Sequence, residues 1–516
     1  MRTGFLLLLT FVLVGSVFVS SARAFNLAEA GLDLEPLFAS PKKGARGVLP
    51  LFSQMVVADL TGDGRKEVVL PGADGRLRIL RIGGTKSRPT LTGWTTVDTR
   101  VEGDQVAGEC YLTAAPLAKG APDSLVLALA RGIFSLAFEG DPPRVQWNPF
   151  CDRTMFDAGE QSSLPKRRDF LVDLDGDGVP EICMPQMEGT RFWRREPSGS
   201  WEEIQAPPMI TRIRQSEGAR RVRTSASQPA IYELGFQYSQ SYPTFELMDL
   251  NGDGRLEMIV LNRETESRPA LLRAECFALR DALHFSTTPL QVRVAPAERG
   301  SQSFLDLNGD GDLDLLRVES NLDIVSPRTA IEAYLSPPQR EYVFDKPTQR
   351  YLTHDPVGMV LYGDWHRDGR ADLMFSQFEY TFGSTDDLIS LILGREIKVS
   401  LRFLRGGPEG FPAKPDQDLR LQIRNRSFNP QLFPPLMMDG DFNGDGVSDL
   451  LVRARPERCE IYLSGKDGRL STRPADSFSV PAESVVRIAD LDGDGRSDVL
   501  AFDSAKNTIR IFLSRP

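Results

Sequence analysis

An aspartate-rich loop of one nine-residue design recurs seven times in this chain, and each copy is entered and left by a short apolar run. The copies begin at Asp59, Asp173, Asp249, Asp306, Asp364, Asp441 and Asp490. Oxygen-bearing side chains stand at positions 1, 3, 5 and 9 and glycine at position 6, the pattern of a calcium cradle. Ca²⁺ takes about six to eight hard oxygen ligands, and the glycine lets the backbone turn sharply enough for the position-7 carbonyl to join them. Read at positions 1, 3, 5, 7 and 9, the first two candidate ligand sets are Asp59, Thr61, Asp63, Arg65 and Glu67, then Asp173, Asp175, Asp177, Val179 and Glu181. The next two are Asp249, Asn251, Asp253, Arg255 and Glu257, then Asp306, Asn308, Asp310, Asp312 and Asp314. The last two are Asp441, Asn443, Asp445, Val447 and Asp449, then Asp490, Asp492, Asp494, Arg496 and Asp498. The copy at Asp364 puts His366 at position 3 and Arg367 where glycine usually stands. Its Asp364, Asp368 and Asp372 are expected to form a weak or empty site, which leaves about six Ca²⁺ ions as the expected cofactors.

These loops differ from EF-hands, which need a bidentate Glu at position 12 and helices on both sides. Here the flanks are runs such as Met55–Ala58, Phe170–Val172, Met258–Leu261 and Leu450–Val452, short and bounded by glycine and proline, which argues for strands. Each loop is then the turn of a β-hairpin. One double-length gap separates the first two copies. Inside it, the segment from Ala115 keeps the frame, with Gly120 at position 6 and Asp123 at position 9, while Ala115, Leu117 and Lys119 replace the ligands. Lys119 supplies the missing ion's charge in one reading; simple decay of the site is the other. The eight units are spaced by 56, 58, 76, 57, 58, 77 and 49 residues, the signature of a repeat fold.

A third strand recurs in the units, as in Leu77–Ile82, Gly132–Phe138, Glu460–Leu463 and Thr508–Leu513. Its alternation suits a sheet with one wetter face. Some fifty residues per unit leave room for a fourth strand, the size of a propeller blade. The last unit stops after its third strand, and Leu32–Phe38 precedes the first unit without a blade of its own. That segment is expected to complete the last blade, which closes the ring and removes an exposed edge. The pattern resembles the FG-GAP/VCBS repeats of integrin-alpha-type β-propellers. The resemblance covers nearly all of residues 25–516 and implies an all-β propeller of four-stranded blades, eight by the count of units, although the family places seven more often. The Phe-Gly and Gly-Ala-Pro parts that name the family survive only as fragments such as Leu51-Phe52-Ser53 and Pro71-Gly72.

Residues 1–24 read as a secretory leader, with Arg2, an apolar core from Phe5 to Val19 and Ala22-Arg23-Ala24 at the cleavage site. An uncleaved anchor is the alternative, against which the core is short for a span. The expected destination is secreted or periplasmic, where free calcium suits loops of about 10⁻⁴–10⁻³ M affinity. Loss of Arg2 and Arg23 takes the formal net charge from −10 to −12, and six Ca²⁺ would neutralise it. The acidity is thus loop chemistry, and an acidic exported chain is no nucleic-acid binder. No stable membrane span is expected after cleavage.

Five cysteines, Cys110, Cys151, Cys183, Cys276 and Cys459, leave at least one unpaired. Cys183, Cys276 and Cys459 fall in predicted strands, and a Cys110–Cys151 disulfide beside the degenerate unit is one alternative to free thiols. Only three histidines occur, none in a hydrolase or metalloprotease motif; His354-Asp355 and Asp364-Trp365-His366 form the one cluster of interest to chemistry. Extra length lies instead near 205–240 and 379–397, with a further long connection from Glu319 to Ala330. The first holds Arg212, Arg214, Arg220, Arg221 and Arg223, then Tyr232, Phe236, Tyr238 and Tyr242; the second reads as a Ser384-capped short helix. If the arginine-rich insert joins one blade to the next, all three extensions reach the face opposite the calcium loops. Insertions on one face mark a binding face or a cover for neighbouring blades. The function read from this pattern is an exported calcium-binding propeller that holds a protein or glycan ligand on that face; the alternative is an exported polysaccharide-acting enzyme on the same scaffold.

Overall fold

The run that follows each loop is buried almost from end to end, as in Glu67–Pro71, Asp123–Leu129, Asp372–Phe378 and Asp498–Asp503. A strand apolar on both faces must lie between two layers. The computed structural model meets this demand with eight sheets arranged as the blades of a β-propeller. It describes residues 26–33 and 55–515 apart from short stretches, the longest being 100–109, 153–165, 223–230, 379–395 and 425–435. No helix is present among the described residues, and so none is long and apolar enough to cross a membrane. The predicted leader and the segment proposed as a Ser384-capped helix lie outside them.

Blade 1 comprises Val56–Ala58, Glu67–Pro71, Arg76–Thr85 and Arg88–Asp98, paired antiparallel in that order. The other blades repeat the plan, blades 2 and 4 each with a fifth strand added. Lys166–Arg167 joins blade 2 in parallel along its first strand, Tyr111–Pro116, and Glu341–Val343 joins blade 4 along its fourth, Gln291–Pro296. In blade 8 the strand Asn26–Asp33 pairs antiparallel with Thr508–Arg515 over its whole length. The ring is therefore closed by the N-terminal segment, as expected, but by residues 26–33 where the sequence suggested Leu32–Phe38. Ala28 and Ala30 alternate inward there, and their small side chains let the closing strand lie flat against blade 1.

Eight apolar clusters hold the ring, one at each junction between consecutive blades. The first joins blades 8 and 1 through Leu491, Leu500, Ile511 and Val68, and the others follow in order around the ring. Successive residues of a second strand serve opposite junctions: Val68 and Leu70 face blade 8 while Val69 faces blade 2. The expectation of one wetter face therefore fails for these strands, because each sheet is sandwiched by its neighbours. All five cysteines are thiols, and the Cys110–Cys151 disulfide does not form. Burial pushes Cys183, Cys276 and Cys459 up to about 12, so these thiols stay protonated and pack as small apolar groups.

Antiparallel order sends first-to-second and third-to-fourth turns to one face, and second-to-third and fourth-to-first connections to the other. The arginine-rich insert is an antiparallel ribbon, Arg212–Val222 paired with Ile231–Ser241, set between the fourth strand of blade 3 and the first of blade 4. It is a fourth-to-first connection, so it leaves the face opposite the aspartate-rich turns. Residues 322–326 and 379–395 lie outside the described residues; the second strands that precede them, Asp314–Asn321 and Asp372–Phe378, end at the same face.

The closing strand covers the edge of blade 8, where Ile509, Ile511 and Leu513 are buried. Deletion of residues 26–33 should expose that edge and lower the thermal midpoint by several degrees, with concentration-dependent aggregation in light scattering. A truncated chain that melts like the intact one would show that the ring closes without this strand.

Candidate metal centres in the loop ring

Each aspartate-rich loop is built by hydrogen bonds from its own backbone to two carboxylates. The position-1 aspartate accepts at least one N–H on each oxygen: in blade 1, Gly62 and Gly64 donate to Asp59 at 2.7 and 2.9 Å, and in blade 8, Gly493 and Gly495 donate to Asp490 at 2.8 and 3.1 Å. Both glycines carry positive φ, which is why the loop needs them. The position-9 carboxylate turns back and accepts the N–H of position 2. This bond is present in all seven loops, from Leu60, Leu174, Leu250, Leu307, Trp365, Phe442 and Leu491, at 2.8–3.1 Å.

Whether position 9 is Asp or Glu decides what its second oxygen does. The shorter Asp314, Asp372, Asp449 and Asp498 also accept an N–H from the end of the third strand, from Ser336, Gly406, Ser464 and Ser514 at 2.7–2.9 Å. Glu257 instead accepts the Asn251 amide at 3.0 Å. In blade 1, Oε1 of Glu67 and Oγ1 of Thr61 are both buried and meet no hydrogen-bond partner. Two orphaned oxygens at positions 3 and 9 are a pair that a bound cation would satisfy. In blade 8, oxygens of Asp490, Asp492 and Asp498 lie within 4.8 Å of one another, the gathering of hard donors that Ca²⁺ requires. The residues present in these two loops thus fit the ion.

Burial shows in the position-9 groups. It pushes Glu181, Asp314 and Asp449 up to about 7 and Asp498 to about 8, against their backbone hydrogen bonds, and raises Glu67 and Glu257 as well.

The rougher loop of blade 6 carries its own positive groups. Nδ1 of His366 meets Asp372 Oδ2 at 2.5 Å, which raises the imidazole above its ordinary value, and Arg405 Nη2 meets Asp368 at 3.2 Å. Arg367 adopts φ 53° in the glycine position and reaches toward Gly446 of blade 7, so the charge beside Asp368 comes from Arg405 and not from Arg367. A cleft of about 320 Å³ opens beside this loop between blades 6 and 7, lined by Trp365, His366, Phe403, Arg405, Gln417 and Arg469. The His366 ring fills part of it and packs on Gly468, whose backbone leaves no room for a β-carbon. In the degenerate unit, exposed Lys119 lays its stem against Gly178 of blade 3, and Asp123 accepts the Asp59 N–H at 2.9 Å. Asp123 thus serves the neighbouring loop and not its own.

Two features have no clear signature in one copy of the motif. Position 2 is always apolar, and its side chain enters the junction with the next blade, as Leu60, Leu174, Leu250, Leu307, Trp365, Phe442 and Leu491 do. Its carbonyl then accepts a position-8 N–H of the next loop in four cases: Lys66 to Leu491, Leu256 to Leu174, Ala371 to Leu307 and Ser448 to Trp365. Comparison of the seven copies shows the invariant apolar position; the partner of its carbonyl needs the ring. Blade 5 uses a side chain for the same purpose. Gln291 of blade 4 accepts the Leu313 N–H at 2.8 Å, and the buried Arg293 beside it meets Asp312 at 3.0 Å.

Fold and loops together define an eight-bladed propeller with aspartate-rich first turns. Residues 441–501, which hold the loops at Asp441 and Asp490, match the family model described as FG-GAP-like repeat. The same loop recurs in five further blades, so this match and the eight-bladed ring together support an FG-GAP/VCBS-repeat β-propeller. No curated protein matches it. Among solved structures, an Agrocybe aegerita lectin described as recognising non-reducing terminal N-acetylglucosamine aligns with a TM-score of 0.37 and 13% identity, covering 89% of this chain and 99% of the lectin. Sqt1 from Chaetomium thermophilum aligns at 0.37 and 10%, covering 96% and 97%. BBS1N in complex with ARL6DN aligns at 0.34 and 10%, covering 95% and 97%. At these scores the likenesses carry no functional weight.

Carboxylates raised by folding stabilise the native state most in acid, below about pH 4 where they are protonated in both states, and lose that contribution as pH rises through their folded values. In the presence of a chelator, the melting temperature should therefore fall between pH 5 and pH 8, through the range set by Glu181, Asp314, Asp449 and Asp498. A melting temperature that climbs with pH over this interval would contradict the assignment.

Proposed function

We propose that the protein is an exported binding module: a propeller whose loop ring is stabilised by Ca²⁺ and whose opposite face captures a protein or glycan partner. The FG-GAP propeller is a binding and adhesion type of scaffold, which supports the class of function. The observation that carries the choice of face is the placement of the long connections. The ribbon Arg212–Ser241 leaves the side away from the aspartate-rich turns, and the second strands Asp314–Asn321 and Asp372–Phe378, which precede the other two long connections, end on that side. One face is committed to closing the ring and the other is free to vary.

The ribbon also revises the expected interface. Its register pairs Arg212, Arg214 and Arg220 with Ser241, Ser239 and Glu233, while Tyr232, Phe236 and Tyr238 fall at the other alternation, where Arg221 pairs with Tyr232. Arg223 and Tyr242 lie outside the described residues. Guanidinium groups suit carboxylate or sulfate oxygens of an acidic glycan or an acidic protein surface, and aromatic rings suit a partner interface. Export follows from the leader read at Arg2–Ala24 and gives the compartment in which weak calcium loops fill.

Calcium removal should lower the melting temperature of the mature chain, because an ion held by the folded state alone stabilises it by mass action. Asp492→Ala should cost more calcium-dependent stability than Asp368→Ala, whose loop has Arg405 in place. Equal melts with and without chelator, after metal removal is confirmed, would end the calcium reading. The binding face is tested by replacing the whole ribbon, residues 212–241, with a short Gly-Ser linker, so that neither of its strands is left unpaired. The calcium-dependent melt should persist while binding to an array of acidic and neutral glycans and exported proteins is lost. Undiminished binding by the deletion variant would place the partner elsewhere.

A further inference from the structure

The third-strand residue opposite position 9 sorts the loops into two kinds. One step beyond the pairs Val68–Leu80, Ile182–Trp193 and Leu373–Leu404, the residue facing Glu67, Glu181 and Asp372 is Arg81, Arg194 and Arg405. In blades 4, 5, 7 and 8 the same position holds Ala278, Leu335, Leu463 and Leu513. An arginine there stands beside the loop carboxylates, at the place an ion would need.

The three arginines behave differently. Arg81 is drawn aside: its guanidinium lies 4.6 Å over the Trp94 ring, its Nε forms a 3.5 Å ion pair with Glu67 Oε1 but no hydrogen bond, and Thr61 Oγ1 at position 3 keeps no hydrogen-bond partner. Blade 3 has no such ring opposite, since Arg194 pairs in register with Glu202. Arg194 turns into the loop, with Nη2 at 2.8 Å from Asp175 and 3.0 Å from Asp177 and Nε at 3.9 Å from Glu181. Oxygens of Asp173, Asp175 and Asp177 gather within 4.8 Å, as a metal would need, but one guanidinium nitrogen already bridges positions 3 and 5. Blade 6 reaches the same end with two groups, His366 on Asp372 and Arg405 on Asp368.

We infer that the loops of blades 3 and 6 carry their own cation and close without calcium, so that calcium dependence is confined to the other five loops. A charge-assisted pair tethered in the chain is present at any ion concentration. A loop of weak calcium affinity must displace it before it can fill. Blade 3 thereby departs from the sequence expectation, where the loop at Asp173 is among the clearest copies. The inference rests on calcium filling the remaining loops, and the experiment separates the two.

Calcium stoichiometry of the mature chain is measured by calorimetry, with terbium luminescence as a second count. About five sites are expected for the native sequence. Arg194→Met keeps the side chain's stem and removes its charge; it should add one site and lower the melting temperature in chelator, with recovery on adding calcium. Should that variant not fold, Asp175→Asn and Asp492→Asn decide. Asp175→Asn should leave the native count unchanged and Asp492→Asn should lower it by one. A count that drops by one with Asp175→Asn overturns the inference and leaves the calcium reading intact. A native chain that binds no calcium at all overturns both.

Discussion

The residue at position 2 of each loop is the joint on which the ring depends. Its side chain is buried in the apolar junction with the next blade, as Phe442 and Leu491 are at 0% exposure. Its N–H is held by the buried position-9 carboxylate of its own loop, at 2.8 Å in both cases. Its carbonyl accepts a position-8 N–H from the next loop in blades 3, 5, 6 and 8. One residue thus fixes the turn, seats it in the core and ties it to its neighbour. Loss of the carboxylate would leave a buried N–H unpaired, which costs about 1–3 kcal/mol before any metal is considered.

That device creates the electrostatic problem the loops then solve. In six loops the carboxylate that must be buried to hold position 2 gains proton affinity, chiefly from that burial, and the aspartates at positions 1 and 5, with position 3 in blades 3 and 8, crowd it further. A cation relieves this, and the chain uses several kinds of relief. Blades 1 and 8 offer gathered or orphaned oxygens that suit a metal. Blade 3 supplies Arg194 and blade 6 supplies His366 with Arg405. Blade 2 removes the charges, with Ala115, Leu117 and Lys119 in the ligand positions, and lends Asp123 to blade 1. Pro180, at position 8 of blade 3, has no N–H to donate back to blade 2, consistent with the missing aspartate loop there.

Most of the fold was legible because the loop is a local object with fixed spacing. Its nine positions specify their own turn, and apolar runs on both sides specify strands, so eight units and their hairpins follow without any tertiary information. The closing strand was misplaced by a few residues because Leu32–Phe38 is the more apolar run, whereas the pairing with Thr508–Arg515 selects Ala28 and Ala30 for their size. The burial of both faces of second strands such as Glu67–Pro71 is a property of the ring, and an isolated blade does not reveal it. The role of Arg194 was hidden for a related reason. It lies 13 residues beyond Glu181 in sequence and beside it only through the register Ile182–Trp193. Arg81 occupies the equivalent place with a different outcome, because Trp94 holds it off.

The same ring explains why the two faces diverge. On the turn face every loop touches the next, as where Gly493 meets the Gly64 carbonyl and Gly176 the Gly254 carbonyl, too close for any β-carbon. A substitution or insertion there disturbs two blades at once, so this face has little freedom for length. The opposite face carries the long connections, and there the chain adds a ribbon with two strands of 11 residues. A two-stranded ribbon is only marginally stable by itself, so its persistence calls for support from the propeller or from a bound partner. Variation in length can accumulate on that face without loosening the ring, because the loops that close the ring lie at the other end of every strand.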